Sequence, residues 1–354
     1  SLGDWYVNKK KLPNGLKGIC DKINALGMSF GIWVEPEMLN VNSDLYRLHP
    51  DWAMDIPGCA HSEGRNQRIL DLCNPEVSEY IIDSMTKVFS SANIAYVKWD
   101  MNRIFSDYYS KYLKVQGRPQ GETAHRYVMA LGRIMRTLTE RFPHILFEGC
   151  AAGGNRFDLG ILCYFPQIWA SDNTDAVSRA YIQEGLSYGY PMSTVSAHVS
   201  ACPNHQTLRV TPLSTRFNVA AFGICGYECN LVDMSKAERS EIKTQIDMYK
   251  KWRHAMQFGS FYRQRTGNIH QWTVVDEEAG RAVGLIMQEL VRANTQNEEY
   301  YAVGLDPEAV YSFYNRPLKH NVKEFGDLIN TVAPIHIRQG SLLHGMVAKF
   351  VTMP

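Results

Sequence analysis

From residue 14 to about 228 the chain alternates amphipathic helical stretches with short apolar runs that end in polar residues. That alternation is the mark of βα units, and it commits this part of the chain to a parallel sheet flanked by helices. Leu16, Ile19, Ile23 and Leu26 recur at helical spacing, and the apolar run 28–34 then ends at Glu35-Pro-Glu37, where the proline stops a strand. Pro75 opens a helix carrying Val77, Tyr80, Ile81, Met85 and Val88, followed by a strand over 94–100. The helix with Tyr127, Leu131, Ile134 and Leu138 leads to a run at 145–150, and shorter units reach 168–172, 193–198 and 222–228. A doubly wound sheet gathers its functional groups at one crevice, whereas every strand of a (β/α)8 barrel delivers its C-terminal end to one mouth. Six polar strand ends therefore predict an α/β fold of the (β/α)8 TIM type. Eight strands close such a barrel, so two are missing unless the run 68–73 is one and another precedes residue 14.

After Asp233 the pattern changes. Ser235 and Glu238 form a capping box at the start of a long helix with Ile242, Ile246 and Tyr249 on one face. Beyond 259 alternation with period two takes over, at 269–275, 282–287, 310–314 and 333–337, which predicts a C-terminal antiparallel β-domain. The expected division is a catalytic barrel over 1–258 and the β-domain over 259–354. The 354 residues carry a net charge of only +1 with both signs interspersed, so nucleic acid and anionic membranes are poor partners and a small molecule is the better one. No run reaches the ~18 apolar residues of a membrane helix, and the chain starts without an apolar signal core. Eight scattered cysteines without CxxC pairs point to a reducing, cytoplasmic compartment.

Lys98 and Asp100 lie two apart on a predicted strand, so both project from one face at the end where barrel enzymes keep their sites. A charged pair inside a buried strand costs several kcal/mol unless it is paired or used. The plain alternative is a salt bridge at the barrel mouth. Asp172 ends another predicted strand, and two carboxylates at one face suit the nucleophile and acid/base of a retaining glycosidase. Helix capping is the competing role, and Asp175 fits it better. The segment Glu148-Gly-Cys-Ala-Ala-Gly-Gly154 lets a ligand ring approach the backbone, but matches neither a P-loop nor GxGxxG. No histidine adjoins Cys150, so a buried or ligand-contacting thiol is expected rather than a nucleophile. Trp33 and Trp99 are each either a sugar-stacking floor or core. His198, His205 and Cys202 match no usual zinc spacing, and no metal site is assigned. A Schiff-base role for Lys98 and a non-catalytic sugar-binding role for the chain are the rival readings.

The motifs Gly31-Ile-Trp-Val-Glu-Pro-Glu-Met38, Gly64-Arg-Asn-Gln67, Lys98-Trp-Asp-Met-Asn-Arg103, Glu148-Gly-Cys150 and Ser171-Asp-Asn-Thr-Asp175, with Ala197-His-Val-Ser200 and Pro203-Asn-His-Gln206, resemble the melibiase-type α-galactosidases of glycoside hydrolase family thirty-six. The resemblance covers about residues 2–230, and the remainder is similar to that family's C-terminal β-domain. It implies Asp100 as nucleophile and Asp172 as acid/base. It also implies a galactose subsite lined by Lys98 and Arg65, which bond hydroxyls, Trp33, which packs on the sugar, and Cys150 with Gly153, which set the fit. No metal or organic cofactor is implied. The implied substrates are α-galactoside oligosaccharides such as melibiose and raffinose, with transglycosylation or N-acetylgalactosamine preference as variants. The full-length protein is expected to be a homo-oligomer, often a tetramer in this family. Two departures stand out. The family's N-terminal β-domain and first two barrel strands, with a pair of sugar-binding aspartates and an aromatic lid, precede the segment where this chain begins, so the resemblance implies a fragment. Many members also have Ser and Gly where this chain has Ala151 and Ala152.

Overall fold

The computed structural model describes residues 1–62, 64–290, 298–300, 302–305, 311–313, 335–337 and 346–352. The chain packs as two compact units, Ser1–Trp169 and Ala170–Pro354. The first unit holds the helices α1 (Gly15–Ala25), α2 (Asp44–Leu48), α3 (Pro75–Phe89), α4 (Lys111–Val115), α5 (Thr123–Arg141) and α6 (Leu159–Leu162). Its strands are β1 (Phe30–Val34), β2 (Met38–Leu39), β3 (Arg68–Ile69), β4 (Ile94–Trp99), β5 (Leu146–Gly149) and β6 (Gln167–Trp169). Strands β1, β4, β5 and β6 lie side by side and parallel, Trp33 opposite Lys98 and Lys98 opposite Glu148. The run 68–73 is not a barrel strand. Its first two residues form β3, which pairs antiparallel with β2, so Arg68 and Ile69 belong to a short ribbon beside the parallel strands.

Local chemistry explains the helix borders. Asn74 caps α3 by accepting the Glu76 N–H, Pro75 occupies the first position where no N–H is needed, and Val77, Ile81, Ile82, Met85 and Phe89 form the buried face. Helix α5 buries Tyr127, Leu131, Ile134, Met135 and Leu138 as its period requires. Helix α1 departs from its sequence stripe, since Cys20 is its fully buried residue while Ile19 and Leu26 are exposed. On that inward side the Cys20 thiol packs in the apolar core and donates to the Asn93 carbonyl. Along β4, Val97 and Trp99 point into the packed helix layer, while Tyr96 and Lys98 take the opposite face, as strand alternation demands. Of the two tryptophans, Trp99 is fully buried core, and Trp33 is 44% exposed.

The second unit holds α7 (Ala176–Leu186), β7 (Val195–Ser200), α8 (Leu213–Ala220), β8 (Ile224–Glu228) and α9 (Lys236–Phe258). It continues with β9 (Ser260–Thr266), β10 (Ile269–Asp276), β11 (Arg281–Gln288), β12 (Glu298–Tyr300), β13 (Tyr311–Phe313), β14 (Ile335–Ile337) and β15 (Met346–Thr352). Strands β7 and β8 are parallel. Among the described residues from β9 onward the pairings are antiparallel, β9 to β10 to β11 to β15 to β13, with β12 beside β14. The expected strand ends Val310, Tyr314, Ala333 and Pro334 lie outside the described residues. The capping box forms as read, the Ser235 hydroxyl accepting from the Glu238 N–H and the Glu238 carboxylate from the Ser235 N–H. Trp252, Ala255 and Met256 of α9 and Phe217 of α8 share one core with Trp272, Val274, Val283 and Leu285 of the antiparallel strands.

Candidate active site

At the C-terminal ends of β1, β4 and β5 the first unit assembles a polar cluster. Asp100 follows β4 directly and its N–H bonds the Val34 carbonyl at 2.9 Å, which fixes it beside the end of β1. Only 6% of the residue is exposed. Oδ2 accepts from Trp33 Nε1 at 3.1 Å and Asn102 Nδ2 at 2.7 Å, Oδ1 accepts from the Met101 N–H at 2.8 Å, and the Cys150 thiol donates as well. Burial is the largest influence on the carboxyl and opposes its ionisation, but the bonds from Cys150, Asn102 and Trp33 together outweigh it and hold Asp100 below the ordinary aspartate range. Asp100 is thus an anion at neutral pH, surrounded by donors.

Lys98 stands on the same strand face, its Nζ 3.3 Å from Glu148 Oε1 and 4.4 Å from the centroid of Trp169. Glu148 is itself held by Tyr96 and Gln167. The salt bridge and the cluster around Asp100 therefore coexist. Cys150 follows β5, its N–H bonded to the Trp99 carbonyl at 2.8 Å. Burial foremost, and then the charge of Asp100, push its thiol up, so it remains a protonated donor. The Gly153 N–H bonds the Cys150 side chain, and Gly153 takes φ +86° to close the turn. Ala152 holds φ +48°, a left-handed backbone that glycine adopts at less cost. Arg65 and Asn66, both at φ 55°, form the tip of a turn in which the Gln67 N–H meets the Gly64 carbonyl at 3.0 Å. Arg103 lies directly against Gly64, where a Cβ would stand 2.0 Å from its Nη1.

Asp172 lies in the second unit, three residues past the end of β6 and exposed, in a loop whose following residues are tied down. Asp175 caps α7 through the Ser178 N–H and hydroxyl, and Arg209 Nη1 meets it at 2.5 Å. Thr174 accepts from Asn204 Nδ2 at 3.0 Å, and its carbonyl accepts from the Ser200 hydroxyl. The motifs around Ser200 and Asn204 thus anchor the loop that carries Asp172. His198 pairs with Glu228 at 3.2 Å.

The first unit therefore brings together Trp33, Lys98, Asp100, Cys150 and Gly153, with Arg65 on the neighbouring turn. Sequence reasoning missed the parts played by Asn102 and Glu35. Asn102 lies two residues past Asp100. Glu35 ends a strand as Asp100 does, and that shared position was the available signal.

A donor-held carboxylate with a cation and an exposed indole at the C-terminal ends of parallel strands stands where TIM-type barrels keep their sites. The chain belongs to the melibiase family, whose model matches residues 1–259. It is 48% identical over 314 residues to alpha-galactosidase AgaA of Geobacillus stearothermophilus, a match spanning 88% of this chain and 43% of that protein. It is 43% identical over 88% of its length to the bifunctional alpha-galactosidase/sucrose kinase AgaSK of Mediterraneibacter gnavus, covering 32% of it. The chain thus spans less than half the length of these relatives. The crystal structure of an AgaA variant in complex with raffinose covers 100% of this chain and 49% of its own at TM-score 0.93 and 44% identity. The alpha-galactosidase of Lactobacillus brevis gives 0.93 at 38% identity. The fold is theirs: the parallel strands are those of a TIM-type barrel, and antiparallel strands follow.

Proposed function

We propose that the protein containing this chain is a retaining α-galactosidase that releases terminal α-linked galactose from oligosaccharides such as raffinose and melibiose. The observation that carries this reading is the ionised, donor-held Asp100 at the end of β4. Asp100 attacks the anomeric carbon from the β face while Asp172 gives its proton to the departing glycosidic oxygen. The bond from Asp100 to carbon forms as the bond to oxygen breaks, and the leaving alcohol departs neutral. Asp172, now a carboxylate, takes a proton from water, which attacks the same carbon, frees Asp100 and releases α-galactose. Lys98 and Arg65 bond sugar hydroxyls, Trp33 packs on the ring, and Cys150 with Gly153 set the fit around it. Lys98 is tied to Glu148 and Trp169, which favours a cationic hydroxyl donor over an imine-forming amine.

Residues 1–258 are the barrel part and 259–354 the β-domain in this reading, supported by the change from α9 to antiparallel strands at Ser260. The eight cysteines, all free thiols, support a reducing, cytoplasmic setting. A homo-oligomer, expected as a tetramer, is tested by light scattering on the full-length protein. The catalytic reading is tested by proton NMR of p-nitrophenyl α-galactoside hydrolysis, beside the N-acetylgalactosamine analogue. α-Galactose as the first-formed anomer supports it, whereas β-galactose first, or no turnover of either glycoside, overturns it.

A further inference from the structure

Glu35 is a buried carboxyl at the site to which the mechanism gives no step. Glu35 directly follows β1, is 0% exposed, and is held at both oxygens: Oε1 accepts the Asn102 N–H at 2.6 Å and Oε2 accepts from Gln67 Nε2 at 2.8 Å. Each partner leads to a different working part. Asn102 passes its own side-chain amide to Asp100 at 2.7 Å. Gln67 closes the turn that displays Arg65. A single carboxyl therefore grips the segment behind Asp100 and the segment behind Arg65, which no regular strand pairing joins among the described residues. The placement is expensive. Burial foremost raises the carboxyl's pKa, the Asn102 N–H opposes that, and the charge of Asp100 adds to it. An apolar side chain would fill the same space without burying an acid.

We propose that Glu35 is a positioning residue that sets Asp100 in register with Arg65, acting through Asn102 and Gln67. The claim rests on the galactosidase reading for what is positioned, and on the two hydrogen bonds for how. It separates two effects. The Asn102 link governs the aim of the attacking oxygen and so kcat; the Gln67 link governs a hydroxyl contact made in the ground state and so KM.

The test compares Glu35→Ala, Glu35→Gln and Gln67→Ala in the full-length protein, by steady-state kinetics on p-nitrophenyl α-galactoside and by hydrogen exchange of the segments 64–67 and 101–106. Glu35→Ala is expected to lower kcat about 10²-fold and to raise KM, since misplacement of order 1 Å costs that much. Gln67→Ala is expected to raise KM with kcat within about threefold, because only a ground-state contact is loosened. Glu35→Gln restores most of the loss, its oxygen accepting from Asn102 while the Gln67 amide turns over to meet its NH2. Exchange is expected to quicken in both segments for Glu35→Ala and in 64–67 alone for Gln67→Ala. A Glu35→Ala protein that keeps kcat and KM within about twofold of wild type overturns the proposal, because a link to the nucleophile has to register there. So does unchanged exchange in either segment. If the wild type hydrolyses no galactoside, the galactosidase reading falls, and the exchange arms alone decide the positioning claim.

Discussion

At the scale of the residue, the chemistry of Asp100 is a contest between burial and donors. Cys150 contributes one of the three side-chain bonds that win it, and Cys150→Ala removes that bond without touching the strand. The carboxyl of Asp100 then rises. If Asp100 attacks as proposed, its anion is the active form and the acid limb of the kcat/KM profile is expected to move to higher pH; an unmoved limb would mean that the thiol does not support the anion. The sequence made Lys98 and Asp100 legible because alternation puts them on one face, and it made Cys150 legible as a thiol without an activating base. It left Trp33 and Trp99 undecided. Both sit in apolar strand segments, and only the packing of helices on one face of β4 buries Trp99 while the other face stays open for Trp33. Glu35 escaped notice because Pro36 beside it reads first as a strand stop, and its partners Gln67 and Asn102 are far away in sequence.

At the scale of the element, the short segments after the strands carry the candidate site residues, and caps hold them. Asp175 was legible as a helix cap, and the structure adds that it also receives Arg209 and closes the loop carrying Asp172. Asp175→Ala is expected to cost about 1–2 kcal/mol of stability through the lost cap. It should also lower kcat in the folded protein by loosening Asp172, and kcat equal to wild type below the melting range would contradict that link. The βα alternation located the six parallel strands found among the described residues, with borders displaced by at most three residues, because fraying and polar ends blur the last pairs. The ribbon of β2 and β3 left no such trace. Two residues on each side are too few to set up a period, and their pairing is decided by the tertiary setting.

At the scale of the whole molecule, polar groups buried deep in the first unit tie distant segments together. Glu37, fully buried, accepts from Trp99 Nε1, from the Tyr127 hydroxyl and from Arg156 Nη1, and so joins the end of β1 to β4, α5 and the segment after β5. Removing one member of a buried ion pair leaves the other uncompensated. Glu37→Ala is therefore expected to cost about 3–5 kcal/mol, read as a fall in the urea midpoint. A loss under about 1 kcal/mol would show that Arg156 finds water instead. The fold class was readable in outline because six polar-ended apolar runs leave few architectures open. The change to antiparallel strands was readable from its change of period. The proposed mechanism requires Asp100 as nucleophile, and the most direct test is p-nitrophenyl α-galactoside turnover by the full-length Asp100→Ala protein with and without azide. Turnover is expected to vanish without azide and to return with it, yielding β-galactosyl azide as the anion takes the place of the missing carboxylate. Turnover near the wild-type rate without azide would contradict the assignment.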